Sequence, residues 1–198
     1  MNQRPTLNDH PIHPLLQQRV SVRAYDRRPV EAETLWSIFE AARWSPSRDN
    51  GQPWRFIVAT QSDPAAFAAL LATLTEGNQR WVQNAPVLIC ALTKSLATHD
   101  HTRYDLGNAV GHMTVQAEAL GLRLRQMAGF YAEKVRALYN IPAEFDPITL
   151  IALGYEAPLE VLPEAIQAKE LRPRTRQPLH EMVLQAWGTP ADWLPDSE

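Results

Sequence analysis

A layered domain in which helices cover a β-sheet is predicted by three features of this 198-residue chain. Two short runs, residues 86–93 and 147–155, are almost continuously apolar, as strands buried on both faces are. Stretches of helical period lie around them, and sixteen prolines punctuate the boundaries without opening a long flexible linker. The length and the 45% hydrophobic content suit one domain with a substantial core. Residues 1–198 are therefore read as a single domain, extended from about residue 158 by a proline-rich tail. Pattern alone leaves open whether the sheet is of the α/β or the α+β kind.

In chain order, the first helix enters after Pro29 with Glu31 and Glu33 in its opening turn, where acidic groups favour the dipole. Leu35, Ile38, Phe39 and Ala42 give it one apolar face, and Ser45 and Pro46 stop it. A loop follows to Trp54, then a short strand over residues 55–60. Pro64 opens a second helix, expected to run to about Thr75 and to be ended by Gly77 and Asn78. The strand at 86–93 contains Cys90, expected as a small buried hydrophobe. A long helix over 104–120 carries Leu106, Ala109, Val110, Met113 and Ala117 at helical spacing, with Gly121 as its stop. Its small residues Gly107, Ala109 and Gly111 make one stripe thin enough for a helix or a flat ring to approach. A strand-like segment after Gly121, a short helix over 131–139, the strand at 147–155 and an amphipathic piece over 179–187 complete the chain. Trp44 and Trp54 are assigned to the core or to an interface.

The formal net charge of -3 offers no general attraction to nucleic acid or to an anionic membrane, so an anion site requires local arginine clusters. RNA binding through Arg123, Arg125 and the 172–176 cluster lacks the basic, aromatic-interleaved surface such binding uses. The chain has one cysteine, no apolar run near Met1 and no stretch of the roughly 18 apolar residues a membrane helix needs. A cytoplasmic protein without a membrane partner is expected. His99, Asp100 and His101 form a weak metal pattern, since no further Cys or His stands at finger-like spacing, and no metal is expected.

Three segments carry chemistry. Residues 19–23, Arg-Val-Ser-Val-Arg, place Arg19, Ser21 and Arg23 on one side of an extended chain, a face suited to gripping a phosphate with forked guanidinium groups. A solvated edge strand has the same pattern. Residues 45–54 crowd turn formers with Asn50 and Gln52, whose amides can read a heterocycle edge or cap neighbouring backbone. Arg174 and Arg176 again set two cations two apart.

Taken in order, these segments resemble the nitroreductase family of FMN-binding proteins. The match runs from about residue 13 to 179. It includes Arg19, Ser21 and Arg23, then Pro46, Ser47, Asn50, Gln52, Pro53 and Trp54, then the Ala-Leu-Gly-Leu of residues 119–122. It ends with Gly129 and Phe130, the Leu-Gly-Tyr of 153–155, and Arg174, Arg176, Pro178 and Leu179. The resemblance implies an α+β, three-layer α/β/α fold with a central mixed, mainly antiparallel sheet, in a homodimer sharing two FMN sites. It implies that Arg19, Ser21, Arg174 and Arg176 hold the FMN phosphate and ribityl chain, with Arg23 nearer the pyrimidine end. Pro46, Ser47 and Arg48 would reach the flavin from the partner subunit. The backbone of Gln126, Met127, Ala128 and Gly129 would pass along the ring edge, and Asn78 or Arg80 would touch the ring. Arg48 and Asp49 depart from the small or hydroxyl residues that many relatives carry there.

The implied activity is hydride transfer from NADH or NADPH through FMN to a small acceptor such as a nitroaromatic or quinone, with no catalytic side chain because the cofactor carries the chemistry. A nonenzymatic flavin-binding or sensor protein and a dehalogenase-like member of the same family are the alternatives.

Overall fold

The computed structural model describes residues 8–95 and 101–195. The short helix α1 (Pro14–Gln18) leads into an extended strip, residues 19–25. The elements that follow are α2 (Ala32–Arg43), β1 (Trp54–Thr60), α3 (Pro64–Leu71), α4 (Glu76–Val82), β2 (Val87–Lys94) and α5 (His101–Ala119). Then come β3 (Arg123–Met127), α6 (Ala132–Tyr139) and β4 (Phe145–Gly154). The tail holds α7 (Glu164–Glu170), the single turn α8 (Leu179–Met182) and a small hairpin of β5 (Leu184–Ala186) and β6 (Thr189–Pro190).

The main sheet has the order β1-β2-β4-β3, and all of its pairings are antiparallel. Its two central strands explain the continuous apolar runs. Leu88, Cys90 and Leu92 of β2 enter one core, beneath α3, α4 and α6, while Val87, Ile89 and Ala91 enter the other, beneath α2 and α5. Successive side chains point to opposite faces, so a strand with a helical layer on each side has no polar position. The result is the three-layer α+β architecture. Pro147 cannot donate to the ladder, and the register shifts opposite it between Ala91 and Leu92, which lets β4 begin at Phe145 rather than at the proline.

Helix ends follow local chemistry. The Asp63 side chain accepts the Ala66 N–H at 3.1 Å and caps α3. Gly121 takes φ +75 after α5, which lets the Leu122 N–H reach back to the Ala117 carbonyl at 2.8 Å. The expectation for residues 64–75 requires correction. α3 stops at Leu71, and Gly77 and Asn78 lie inside a separate helix, α4, rather than ending one. Burial of Trp81 and Val82 supports α4 despite its glycine. Trp54 is core, and Trp44, 72% exposed and donating a hydrogen bond to Glu40, lies outside it on the surface of the chain. The amphipathic piece at 179–187 is replaced by α8 and the hairpin, whose turn places Gly188 at φ +79.

Cys90 is fully buried, and burial pushes its thiol up to about 12. It is therefore expected to resist iodoacetamide at pH 8 in the folded protein and to alkylate only on unfolding, as read by mass spectrometry. Alkylation of the native chain at the rate of a free thiol would contradict this packing.

Candidate functional site

The strip carries the alternation the sequence predicts. Val20, Val22 and Ala24 are buried in the core, whereas Arg19, Ser21 and Arg23 face away from it. Arg19 donates to the Ser21 hydroxyl at 3.2 Å. Both line a cleft of about 490 Å³ together with Leu16, Gly111 and His112 of the adjacent helices and Gln126 of β3. Leu124 and Gln126 share one face of β3, and Leu124 packs with α5. β3 is an edge strand, so alternate backbone groups along it are unpaired within the sheet and remain available to a polar ligand edge.

The tail returns to this strip. Arg174 donates to the carbonyls of Gln17 at 3.3 Å and Arg19 at 2.8 Å. Arg176 donates to the carbonyl of its own neighbour Thr175. Among the described residues, neither Arg19 nor Arg176 makes an ion pair. Burial, and next the charge of Arg176, hold the Arg19 guanidinium below its ordinary pKa, with Glu118 opposing. Two cations held close beside a hydroxyl form the donor set of an anion site.

Arg23 is engaged elsewhere. Its guanidinium pairs with the buried Glu170 carboxylate, whose other oxygen accepts the Arg23 backbone N–H at 3.1 Å. The guanidinium expected at the pyrimidine end is thus held in an ion pair. Sequence reasoning missed Glu170, and no local signal marks it, since its partner lies 147 residues away.

The loop between α2 and β1 is held in an unusual backbone conformation. Asp49, Asn50 and Gln52 all have positive φ, at 52, 54 and 43. Aspartate and asparagine tolerate this region, glutamine less readily. The conformation is fixed from inside. The Ser47 hydroxyl accepts the Gln52 N–H at 3.0 Å, and the Gln52 amide donates to both the carbonyl and side-chain oxygens of Asn50. The Gln52 amide is thus turned onto Asn50 rather than outward. Strain concentrated this way is characteristic of ligand-binding segments. Pro46, Ser47 and Arg48 border a second cleft with Tyr104, Asp105 and Asn108, where Asp105 accepts the Arg48 N–H at 3.2 Å. The two clefts follow one another along α5, the second lined by His101 to Asn108 and the first by Gly111 to Val115, and no residue lines both. Within one chain, the loop and Arg19 therefore line separate clefts.

At the far end of β3, the Gly129 carbonyl accepts the Thr75 N–H, the Thr75 hydroxyl and the Asn78 amide. A Cβ on Gly129 would stand 2.7 Å from the Asn78 nitrogen and 2.8 Å from the Thr75 hydroxyl oxygen, so only glycine allows this approach. Asn78 thereby positions the 126–129 backbone. Met127 points into the core, Ala128 is exposed, and Arg80 is exposed on α4. His99 and Asp100 lie outside the described residues, and His101 borders the second cleft.

The family model described as the nitroreductase family matches residues 16–155. The chain belongs to the nitroreductase family. This nitroreductase-family oxidoreductase is 30% identical to a protein of Thermus thermophilus named NADH dehydrogenase, over 84% of this chain and 92% of the relative. It is 28% identical to a Bacillus subtilis protein named FMN reductase [NAD(P)H], over 69% of this chain and 62% of the relative. A solved structure of an oxidoreductase containing FMN superposes with a TM-score of 0.85 at 30% identity, covering 93% and 96% of the two chains. The three-layer fold expected from the sequence is the fold of these neighbours.

Proposed function

We propose that this nitroreductase-family protein is an FMN-dependent oxidoreductase that passes reducing equivalents from NADH or NADPH to a small acceptor such as a nitroaromatic or quinone. The observation that carries this reading is the pairing of Arg19 with Ser21 on one cleft beside the edge strand β3, with the charge of Arg176 bearing on Arg19. Those residues fit the cofactor. Two guanidinium groups without a carboxylate partner among the described residues match a phosphate, and the open edge of β3 matches the polar edge of a planar ring. When bound, FMN supplies hydride acceptance from the nicotinamide and onward delivery to the acceptor.

The chain's own residues do the holding and positioning. Arg19, Ser21 and Arg176 bind the phosphate, while Arg174 fixes the tail by its hydrogen bonds to the carbonyls of residues 17 and 19. Gln126 and the backbone to Gly129 run along the ring, held by Thr75 and Asn78. Arg23 sits at the pyrimidine end as a cation shared with Glu170. No catalytic side chain is assigned. The strained loop bearing Pro46, Ser47 and Arg48 serves the site of a second copy, since within one chain it lines a cleft separate from that of Arg19 and Ser21. Tyr104, 68% exposed, and the open space over Gly107 and Gly111 support a homodimer joined along α5, with two shared sites. Among the described residues no helix is long and apolar enough to cross a membrane.

The test is to purify the chain, record its visible spectrum, identify flavin released by heat, and assay NAD(P)H oxidation with and without a quinone or nitroaromatic. Bound FMN, a dimer on gel filtration and acceptor-dependent turnover are expected. A colourless protein that cannot be reconstituted with FMN overturns the reading, and one that binds FMN without turnover overturns the enzyme.

A further inference from the structure

Residues 19–23 of the strip belong to no β-ladder, and charged side chains reach the backbone there and at the end of α1 instead. Arg174 takes the carbonyls of Gln17 and Arg19, Arg125 takes that of Ser21 at 2.6 Å, and Glu170 takes the N–H of Arg23. The tail therefore runs antiparallel to the strip, fastened at residue 170 onto 23 and at residue 174 onto 19. Continuing in the same direction carries residue 176 past Arg19 toward residue 17, and the Arg176 charge bears on Arg19.

Glu170 is the joint of this arrangement. It is 1% exposed, paired with Arg23, and 3.9 Å from the Arg125 guanidinium, which lies over the Trp81 ring. A carboxylate so buried requires compensating charge, and here the compensation comes from two segments that the tail must meet. Without the carboxylate, Arg23 and Arg125 would confront each other as like charges at the point where the tail docks.

We propose that Glu170 is a positioning residue for the cofactor phosphate: its buried carboxylate clasps the tail to the strip and so sets Arg176 beside Arg19, without touching the ligand. This rests on the reading of the cleft as an FMN site. Because Glu170 also partners Arg23 at the pyrimidine end, the mark of the clasp is a loss at the phosphate end beyond any loss shared by both ends, which separates it from a general contribution to folding. Riboflavin, which lacks the phosphate, is the control.

The experiment measures dissociation constants of FMN and riboflavin for the full chain and for Glu170→Gln. The variant is expected to lose about tenfold or more in FMN affinity over and above whatever it loses for riboflavin, the scale of one misplaced charged hydrogen bond. Equal losses for both flavins, or an unchanged ratio between them, overturn the proposal. Should the variant fail to fold, hydrogen exchange of the wild-type chain decides: FMN, but not riboflavin, slows exchange across residues 170–176. Equal protection by the two flavins, or none, overturns the clasp. A wild-type chain that binds neither flavin overturns the flavin site itself, and the clasp with it.

Discussion

Arg23→Met is expected to unfold at clearly lower urea concentration than the parent, with a loss of about 3 kcal/mol, at the lower end for removing one partner of a buried ion pair. The loss comes from what remains. Glu170 keeps its carboxylate at 1% exposure, with its nearest cation gone and Arg125 more distant at 3.9 Å. The lower end of the range applies because Arg125 stays and because the Arg23 side chain itself is 23% exposed. Urea titrations at one protein concentration, without added flavin, exclude stabilisation by ligand or by mass action. A companion variant with methionine at both 23 and 170 is expected to recover most of the loss, since two apolar side chains leave no charge stranded. A single-variant deficit below about 0.5 kcal/mol, the range of ordinary surface substitutions, would mean that Glu170 is not held as a buried charge.

This pair also marks where sequence reading ends. The central strands were legible because burial on both faces writes a continuous apolar run, and α2 and α5 because one-sided burial writes a period near 3.6. The alternation of Arg19, Ser21 and Arg23 with Val20 and Val22 was legible for the same reason. α4 was not, because Gly77 and Asn78 look like a helix stop, and the burial of Trp81 and Val82 that outweighs them is a tertiary event. The hairpin after α8 was missed because its turn at Trp187 and Gly188 falls within a run whose polarity also suits a helix.

At the site, residue types were legible and their assignments were not. Arg174 and Arg176 look equivalent in the sequence, yet one guanidinium fastens backbone while the charge of the other bears on Arg19. Asn50 and Gln52 look like reading amides, yet the Gln52 amide is spent within the loop. Such divisions depend on which carbonyl or carboxylate comes near after folding. For Glu170 and Arg23 that neighbour is 147 residues away, beyond any local pattern.

The inequality of the two tail arginines yields the second large effect. Arg176→Ala is expected to weaken FMN binding about 100-fold, the upper range for one charge-assisted hydrogen-bonding group removed from an anion. Its stability without flavin is expected to hold or rise slightly. Arg176 makes no ion pair among the described residues, its hydrogen bond is to the carbonyl of adjacent Thr175, and its charge works against Arg19 until an anion arrives. Arg174→Ala reverses the pattern, because it frees the carbonyls of Gln17 and Arg19 and unfastens the tail, so stability and FMN affinity fall together. Fluorescence titration with FMN alongside urea unfolding separates the two cases. An Arg176→Ala protein that loses stability but keeps its flavin would place the phosphate elsewhere and make Arg19 and Arg176 a structural pair. Loss of affinity without loss of stability is the expected signature of a residue held in readiness for an anion, at the cost of repulsion in the ligand-free chain.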